Sequence, residues 1–325
     1  MFDTNQRGEH MNTNESYYMQ HTLAKSFSCL GVGLHSGYVV TMIVMPAAAN
    51  TGYTFVRRDV DNYFNEIEAH WHNVFDAKLG TNLRNNQGVK VFSVEHLLAA
   101  LSAQGIDNAR IVIDGPEVPS MDGSARVFSD LILSVGKVQQ NAQRKVLLVK
   151  KTVEVREGDR TLSVQPSPLL WMDLEVYTPH EKLGSKRIST PVTELLFVKK
   201  LSGGRNYIDA DHLSAYKELG YFQGASSNNL LIFQDNEIIN KGKLRYKDEI
   251  ARHKVIDLLG DMVLADAPVM GHFIGRGADQ SLHHLLMLEL MCDPESYVIT
   301  TLQELEDNWL GLTADKAPEN RRTTV

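Results

Sequence analysis

The segment from residue 244 to residue 261 reads Leu244-Arg-Tyr-Lys-Asp-Glu-Ile-Ala-Arg-His-Lys-Val-Ile-Asp-Leu-Leu-Gly-Asp261. Its apolar residues recur at helical spacing, which predicts an amphipathic helix with one face against a core. His253 and Asp257 are four residues apart and therefore share a face, with Asp261 one turn further. An imidazole and a carboxylate so placed can bind zinc, but a catalytic zinc needs about three protein ligands. A bare His-x-x-x-Asp is more often a surface pair, so a third ligand and a base must come from elsewhere in the chain.

Composition limits the class of protein. The chain has 325 residues, 43% hydrophobic and 22% charged, with a net charge of −7. These values predict a soluble globular protein of about two domains, and the negative charge argues against a general nucleic-acid binder. The two cysteines, Cys29 and Cys292, are far apart and favour a reducing compartment without a disulfide framework. With no apolar run of membrane-spanning length and no signal-peptide pattern, we expect a cytoplasmic protein.

The first half of the chain contains a second predicted helix whose side chains could take part in a reaction. Ser93 is a candidate N-cap for this helix and Gly105 lies where it would end. Glu95 and His96 then fall in the first turn, where one side chain can bind a metal while the other acts on a bound water. For the dipeptide alone, a dipole-stabilising glutamate beside a partly exposed histidine is the simpler interpretation.

Domain limits follow from polar stretches and from the order of elements. Residues 1–17 are polar and are interpreted as a disordered lead; residues 21–30 and 37–45 are predicted strands. The polar residues 139–144 are a candidate linker between domain I (18–138) and domain II (144–305), and residues 306–325 form a C-terminal tail. A further strand is predicted at 192–198. Both halves run strands, then helix, strand, helix, which predicts an α+β duplication.

Several segments together resemble a known family, the zinc-dependent UDP-3-O-acyl-N-acetylglucosamine deacetylases of lipid A biosynthesis. They occur in family order from about residue 18 to residue 300. In the first half they are Gln20-His-Thr-Leu23, Gly31-Val-Gly-Leu-His-Ser-Gly37, Ser93-Val-Glu-His-Leu97, Gly105-Ile-Asp-Asn108 and Gly115-Pro-Glu-Val-Pro-Ser-Met-Asp-Gly-Ser124; in the second half they are Leu244-Arg-Tyr-Lys-Asp-Glu249 and Arg252-His-Lys-Val-Ile-Asp-Leu-Leu-Gly-Asp261.

The resemblance implies a fold and a site. It implies two similar domains, each a β-sheet layer packed on two helices in a β-α-α-β sandwich, with the active site between the domains. It also implies that Zn²⁺ is the cofactor and that amide hydrolysis of a UDP-sugar substrate is the reaction. The implied zinc ligands are His96, His253 and Asp257. The other implied roles are those of Glu95 as general base, Asp261 as a support for the site and Lys254 as a contact to the substrate.

One departure from the family pattern concerns the proton donor. An ungapped alignment from His253 places Gln280 where the family has a catalytic histidine. Glutamine can donate a hydrogen bond but cannot lend a proton, and losing general-acid help typically costs about 10²–10⁴-fold in rate. His283 or His284 would replace that histidine only if the loop shifted by three residues, against the ungapped apolar pattern of the helix.

A second departure concerns the part of the site that would bind an acyl chain. Gly204-Arg-Asn-Tyr-Ile-Asp209 stands where the family has Ala-Arg-Thr-Phe-Gly-Phe. Asn206 thus replaces an oxyanion-binding threonine, and a charged residue replaces an aromatic one, which would carry a desolvation cost beside a fatty chain unless it turns to water. Further along the chain, Leu230 stands where the family has a small residue. The substrate-binding candidates are Tyr207, Asp209, Ser226 and Leu230.

The sequence therefore leaves three functions to weigh. The first is a zinc-dependent deacetylase of a UDP-N-acetylglucosamine derivative, acylated or differently decorated, in which Glu95 serves as both base and acid. The second is a divergent paralogue of low or no activity that binds zinc and a sugar nucleotide as a regulator. The third is a zinc-stabilised structural subunit, which gives no reason for Glu95 and Lys254 to be present. We favour the first, as a monomer without nucleic-acid partners in a Gram-negative-type bacterium.

Overall fold

The computed structural model describes residues 16–61, 63–177, 184–235, 237–240 and 243–314. The predicted disordered lead lies outside these residues except for its last two. No helix within the described ranges is long and apolar enough to cross a bilayer. Cys29 and Cys292 are both free thiols, as expected for a chain without a disulfide framework.

The described residues of the first half form ten strands and two complete helices. The strands are β1 (Met19–Leu23), β2 (Phe27–Val32), β3 (Val39–Pro46), β4 (Tyr53–Arg57), β5 (Glu66–Glu68), β6 (Val74–Asp76), β7 (Asn82–Arg84), β8 (Lys90–Val91), β9 (Ala109–Ile113) and β10 (Lys137–Gln143). The helices are α1 (Glu95–Ala103) and α2 (Arg126–Val135), and a 3₁₀ turn covers Trp71–Asn73.

Among the residues of the second half that the structure describes, there are eleven strands and five helices. The strands are β11 (Lys145–Val149), β12 (Val153–Glu157), β13 (Arg160–Gln165), β14 (Trp171–Val176), β15 (Lys186–Pro191), β16 (Tyr207–Asp209), β17 (Leu231–Gln234), β18 (Glu237–Ile238), β19 (Val269–Met270), β20 (His272–Arg276) and β21 (Tyr297–Thr301). The helices are α3 (Glu194–Leu196), which continues as a π-helical turn over Phe197–Leu201, α4 (Ala210–Glu218), α5 (Glu249–Met262), α6 (Gln280–Cys292) and α7 (Leu302–Ala314).

The two halves share one sheet topology. The first five-stranded sheet has the order β2-β3-β9-β4-β5 and the second has the order β12-β13-β20-β14-β15. In each sheet only the pair reached by a crossover, β9 with β4 and β20 with β14, is parallel. Helices α1 and α2 flank β9 in the chain, and α5 and α6 flank β20 in the same way. The predicted α+β duplication is therefore confirmed, although no repeat is visible in the residues themselves.

Each half also carries a small three-stranded sheet at the same place in its chain. The sheet β6-β7-β8 precedes α1, and the sheet β16-β17-β18 precedes α5. These insertions lie just before the two helices that contain the predicted site residues. They therefore provide the walls around those residues without interrupting the main sheets.

Three expectations about local structure are wrong. Residues 21–30 form two strands, not one, because the chain breaks its pairing between Leu23 and Phe27. The proposed linker at 139–144 lies mostly in β10, whose exposed side chains look like a linker while its backbone pairs with β1. Residues 192–198 enter a helix, because the Thr193 side chain accepts a hydrogen bond from the amide of Leu196 and caps it.

The proposed domain limits of 18–138 and 144–305 stay predictions, with one exception at the C-terminal end. Helix α7 extends to Ala314, so residues 306–314 of the proposed tail are helical and continue an element that begins in domain II. The buried side chains of Val146, Leu302 and Leu305 form a small cluster of their own. This cluster attaches α7 to the sheet β19-β11-β21.

The main core is continuous across both halves, and α1 packs against α5 at its centre. Leu97, Leu98 and Leu101 of α1 and Ile256 of α5 are completely buried. Gly260 lies where the helices are closest, and a Cβ added there would clash with the carbonyl oxygen of Glu95. Only glycine allows this approach, which sets the first turn of α1 against α5.

We predict that Gly260→Ala destabilises the fold. In an exposed helix the same change stabilises by about 0.5–1 kcal/mol, but here the added methyl group would push backbone against backbone. Overpacking of this kind costs about 1–3 kcal/mol. Denaturant unfolding of the two proteins measures the difference, and an unchanged or increased free energy of unfolding would contradict the close helix contact.

Candidate metal centre

Helices from the two halves bring three candidate ligands together. His96 lies in the first turn of α1, and His253 and Asp257 lie one turn apart on α5. Nε2 of His96 is 3.2 Å from Oδ1 of Asp257, and Nε2 of His253 is 3.3 Å from Oδ2 of the same carboxylate. One ligand atom from each residue lies within 4.8 Å of the other two. The pair on α5 is thus buried and joined by a third side chain, unlike a surface His-x-x-x-Asp.

Asp257 is the centre of this cluster. Its side chain is 0% exposed, Nζ of Lys254 lies 2.9 Å from Oδ2, and the side-chain amide of Gln280 donates to the same oxygen at 3.1 Å. Burial alone would raise the pKa of Asp257, but the neighbouring His253 and Lys254 hold that pKa well below its ordinary value. The carboxylate is therefore ionised, which a metal ligand requires.

The donor set fits a zinc ion. Two imidazole nitrogens and one carboxylate oxygen are donor types that zinc accepts, and three protein ligands are the usual number in a catalytic zinc site. Burial lowers the pKa of His253 to about 3, so that its imidazole is neutral. A neutral imidazole is the form that binds a metal.

Glu95 lies beside this cluster with its carboxylate held from one side. The backbone amide of Thr81 donates to Oε2 of Glu95 at 3.0 Å, and Gly80 packs close to the other carboxylate oxygen. Burial raises the pKa of Glu95 to about 8, and the negative charges of Asp261 and Asp257 act in the same direction. The carboxyl group therefore binds a proton much more readily than an exposed glutamate.

Asp261 continues the row on α5 but turns away from the three candidate ligands. Its Oδ2 lies 2.7 Å from Nδ1 of His283, and its Oδ1 accepts a hydrogen bond from the hydroxyl of Thr81. Burial raises the pKa of Asp261 as well. The residue next to Asp257 is therefore Gln280, while His283, one turn further along α6, pairs with Asp261.

A cavity opens beside Glu95 and His96. Asn206 lines it, with its side-chain oxygen accepting a hydrogen bond from the amide of Tyr207 at 3.1 Å. The rest of the lining is mixed, with apolar and polar side chains from both halves. It consists of Leu34, His35, Leu79, Ser93, Val118, Pro119, Ser120, Gly123 and Phe128.

The four substrate-binding candidates occupy different environments. The Tyr207 ring stands edge-on to His253, with centroids 5.9 Å apart. Asp209 is the N-cap of α4 and accepts from the amide of Asp211, which gives its charge a structural partner. Ser226 is exposed, whereas Leu230 is 1% exposed. Leu230 belongs to a small separate core that also contains Leu34 and Leu213.

Two features of the site were not available to sequence reasoning. Ser93, the expected N-cap of α1, has a left-handed φ of 58° and its hydroxyl donates to Glu117; Val94 precedes the helix, and no side chain caps it. That expectation is wrong, because Ser93 satisfies a buried carboxylate instead. Thr81 was missed, since a single threonine ahead of a short strand has no pattern that marks it.

Comparisons with known proteins give the family to which the chain is similar. The family model described as LpxC, UDP-3-O-acyl N-acetylglycosamine deacetylase, matches residues 20–292. A UDP-3-O-acyl-N-acetylglucosamine deacetylase from Myxococcus xanthus is 36% identical over 297 residues, 91% of this chain and 94% of that protein. Proteins with the same description from an Anaeromyxobacter species and a Nitratiruptor species are 35% identical over 287 residues and 34% over 289. They cover 88% of this chain, and 93% and 96% of their own lengths.

A buried ion pair holds the segment Asn206-Tyr207, where β16 begins, against α5. The Arg205 guanidinium donates to Glu249, whose side chain is 0% exposed, with Nε 2.7 Å from Oε1. Glu249 is the first residue of α5. The pair therefore sets the position of the cavity wall relative to the candidate ligands.

We predict that Arg205→Met leaves Glu249 buried without its counter-charge and lowers the free energy of unfolding by about 3–5 kcal/mol. Arg187→Met is the matched control, since Arg187 pairs with Asp173 on the surface and its side chain is 67% exposed. Urea unfolding of both variants measures the difference. Equal, small losses would show that the buried pair does not hold the wall.

Proposed function

Because the chain belongs to the UDP-3-O-acyl N-acetylglycosamine deacetylase family, we propose that it removes the N-acetyl group from a UDP-3-O-acyl-N-acetylglucosamine-type substrate in a zinc-dependent reaction. The observation that carries the proposal is the convergence of His96, His253 and Asp257 next to the buried Glu95. A structural zinc site has no use for a buried carboxylate base beside an open cavity.

The proposed mechanism assigns roles to the residues around the ligands. When bound to His96, His253 and Asp257, zinc would act as a Lewis acid toward the acetyl carbonyl and the hydrolytic water. Glu95 takes the proton from the attacking water, and the hydrogen bond from Thr81 orients its carboxylate. Since Gln280 cannot lend a proton, Glu95 also returns that proton to the leaving amine.

Three neighbours would complete the electrostatics. With the side-chain oxygen of Asn206 occupied by Tyr207, its amide nitrogen is the group assigned to the developing oxyanion. Gln280 donates to Asp257 and orients it. Lys254 stays charged because Asp257 raises its pKa against the effect of burial, and it is assigned to the substrate as a cation.

The proposal also covers the acyl chain of the substrate, the pathway and the cellular compartment. The mixed lining of the cavity suits a sugar with an apolar substituent, with Tyr207, Asp209, Ser226 and Leu230 as candidate contacts. Because Asp209 caps α4 and Leu230 is buried in a core, we assign the direct contact with the substrate to Tyr207. The proposal places the reaction in lipid A biosynthesis, in the cytoplasm of a Gram-negative-type bacterium, and a differently decorated UDP-N-acetylglucosamine is the alternative substrate.

A second candidate function follows from Gln280 alone. A paralogue that binds zinc and a sugar nucleotide, with little turnover, would need every ligand but not the proton donor. The contact between Gln280 and Asp257 fits such a protein as well as a slow enzyme, because the amide orients the ligand without taking part in proton transfer. Kinetics, and not binding, separates the two functions.

The first test is metal content. Purified protein is expected to contain about one zinc per chain, as three converging donors bind zinc strongly, and Asp257→Ala should lose most of it. Asp266→Ala is the control, because Asp266 pairs with His70 away from the candidate ligands. If elemental analysis found no zinc in the parent protein after growth in zinc-supplemented medium, the proposal would lose its basis.

The second test is deacetylation of acylated and unacylated UDP-N-acetylglucosamine. We expect turnover of the acylated compound, a loss of about 10²–10⁴-fold in Glu95→Gln, and a gain in Gln280→His of up to a similar factor. Release of acetate is the measurement. Turnover in Gln280→His but not in the parent would favour the binding protein, and turnover of the unacylated compound alone would change the substrate.

A further inference from the structure

We propose that His283 is a positioning residue for Glu95, acting through Asp261 and Thr81. The inference rests on the proposed function for its kinetic consequence. His283 belongs to α6 and is 1% exposed, and Nδ1 lies 2.7 Å from Oδ2 of Asp261. A buried carboxylate has to satisfy both oxygens, and His283 satisfies one of them.

Thr81 satisfies the other oxygen and transmits the contact. Its hydroxyl donates to Oδ1 of Asp261, and its backbone amide donates to Oε2 of Glu95 at 3.0 Å. Its carbonyl accepts a hydrogen bond from the amide of Val94 at 3.1 Å. The hydroxyl, the amide and the carbonyl of Thr81 are therefore all held by hydrogen bonds. The position of the hydroxyl depends on how Asp261 is oriented.

The hydrogen-bond network His283–Asp261–Thr81–Glu95 thus joins α6 in the second half to the proposed base in the first half. With both Asp261 oxygens occupied, the carboxylate has no second orientation of equal energy. Without His283, Asp261 can rotate toward the small cavity that His284 and Trp71 line, and Thr81 loses its fixed acceptor. The Glu95 carboxylate would then be held less firmly.

His283 does not itself reach the reacting atoms. It lines the cavity shared with Trp71, Asp261 and His284, whereas Glu95 and His96 line the other cavity. Its Nδ1 is paired with Asp261. His283 therefore does not replace the missing proton donor at position 280, and its effect passes through the geometry of the base.

The kinetic test compares three variants in the zinc-loaded protein. His283→Leu should lower kcat by about 10–100-fold, the range expected when a catalytic group is displaced, with KM and zinc content unchanged. His283→Asn should restore kcat to within a few-fold, since its amide nitrogen takes the place of Nδ1. His284→Leu, the same change at the next residue, should have little effect. In a Glu95→Gln background, His283→Leu should cause no further loss, because both changes act on one group.

A second measurement does not depend on turnover. Amide hydrogen exchange at Thr81, followed by NMR, should become faster in His283→Leu and return to the parental rate in His283→Asn. Thr81→Val, which removes only the hydroxyl link, should lower kcat as His283→Leu does and serves in its place if that variant does not fold.

The outcomes separate the inference from the proposed function. An inactive parent would overturn the proposed function, and Thr81 exchange would still decide the inference. Unchanged exchange in His283→Leu, an equal loss in His283→Leu and His283→Asn, or a full loss that persists in the Glu95→Gln background would each overturn the positioning role.

Discussion

The contact between Gly260 and the carbonyl of Glu95 is the constraint on which the site depends. It lets α1 and α5 meet backbone to backbone, so the first turn of α1 lies against the candidate ligands on α5. A second glycine has a similar function: Gly204 allows the segment that leads through Asn206 into β16 to lie against the backbone of His253. Both contacts join segments remote in sequence, and neither can relax by a change of side-chain rotamer. The separation between Glu95 and the candidate ligands is therefore fixed by backbone contact.

The buried charges are the second requirement. The side chains of Asp257 and Asp261 are 0% and 4% exposed, and burial of an unpaired charge costs several kcal/mol. The structure meets this cost by pairing each carboxylate with a partner from another element: Asp257 with His96 of α1 and Gln280 of α6, and Asp261 with His283 of α6. Since these partners come from α1 and α6, the buried carboxylates also fix how the two helices lie against α5.

Sequence reasoning predicted the parts of the site but not all of its connections. The helical pattern identified the pair on α5, and the first turn of α1 identified Glu95 and His96, because both rest on local periodicity. Their union came from the resemblance, since no local rule relates residues so far apart. Thr81 and the pairing of His283 with Asp261 depend on tertiary packing and have no local signature. The error at 139–144 has the same origin, because β10 is defined by its partner strand. The error at 192–198 has a different origin, since the Thr193 cap of α3 is a local signal that the strand prediction did not use.

The repeated topology has a consequence for how such a site could arise. Helices α1 and α5 occupy the same place in the two halves, so their contact is one between equivalent elements. Contacts between equivalent elements are what a two-fold symmetric homodimer makes. In such a dimer every side chain at the crossing would occur twice, and a base could not be present without a second copy of itself. Joining the two copies in one chain removes that restriction, so that one helix can present Glu95 while its counterpart presents Asp257.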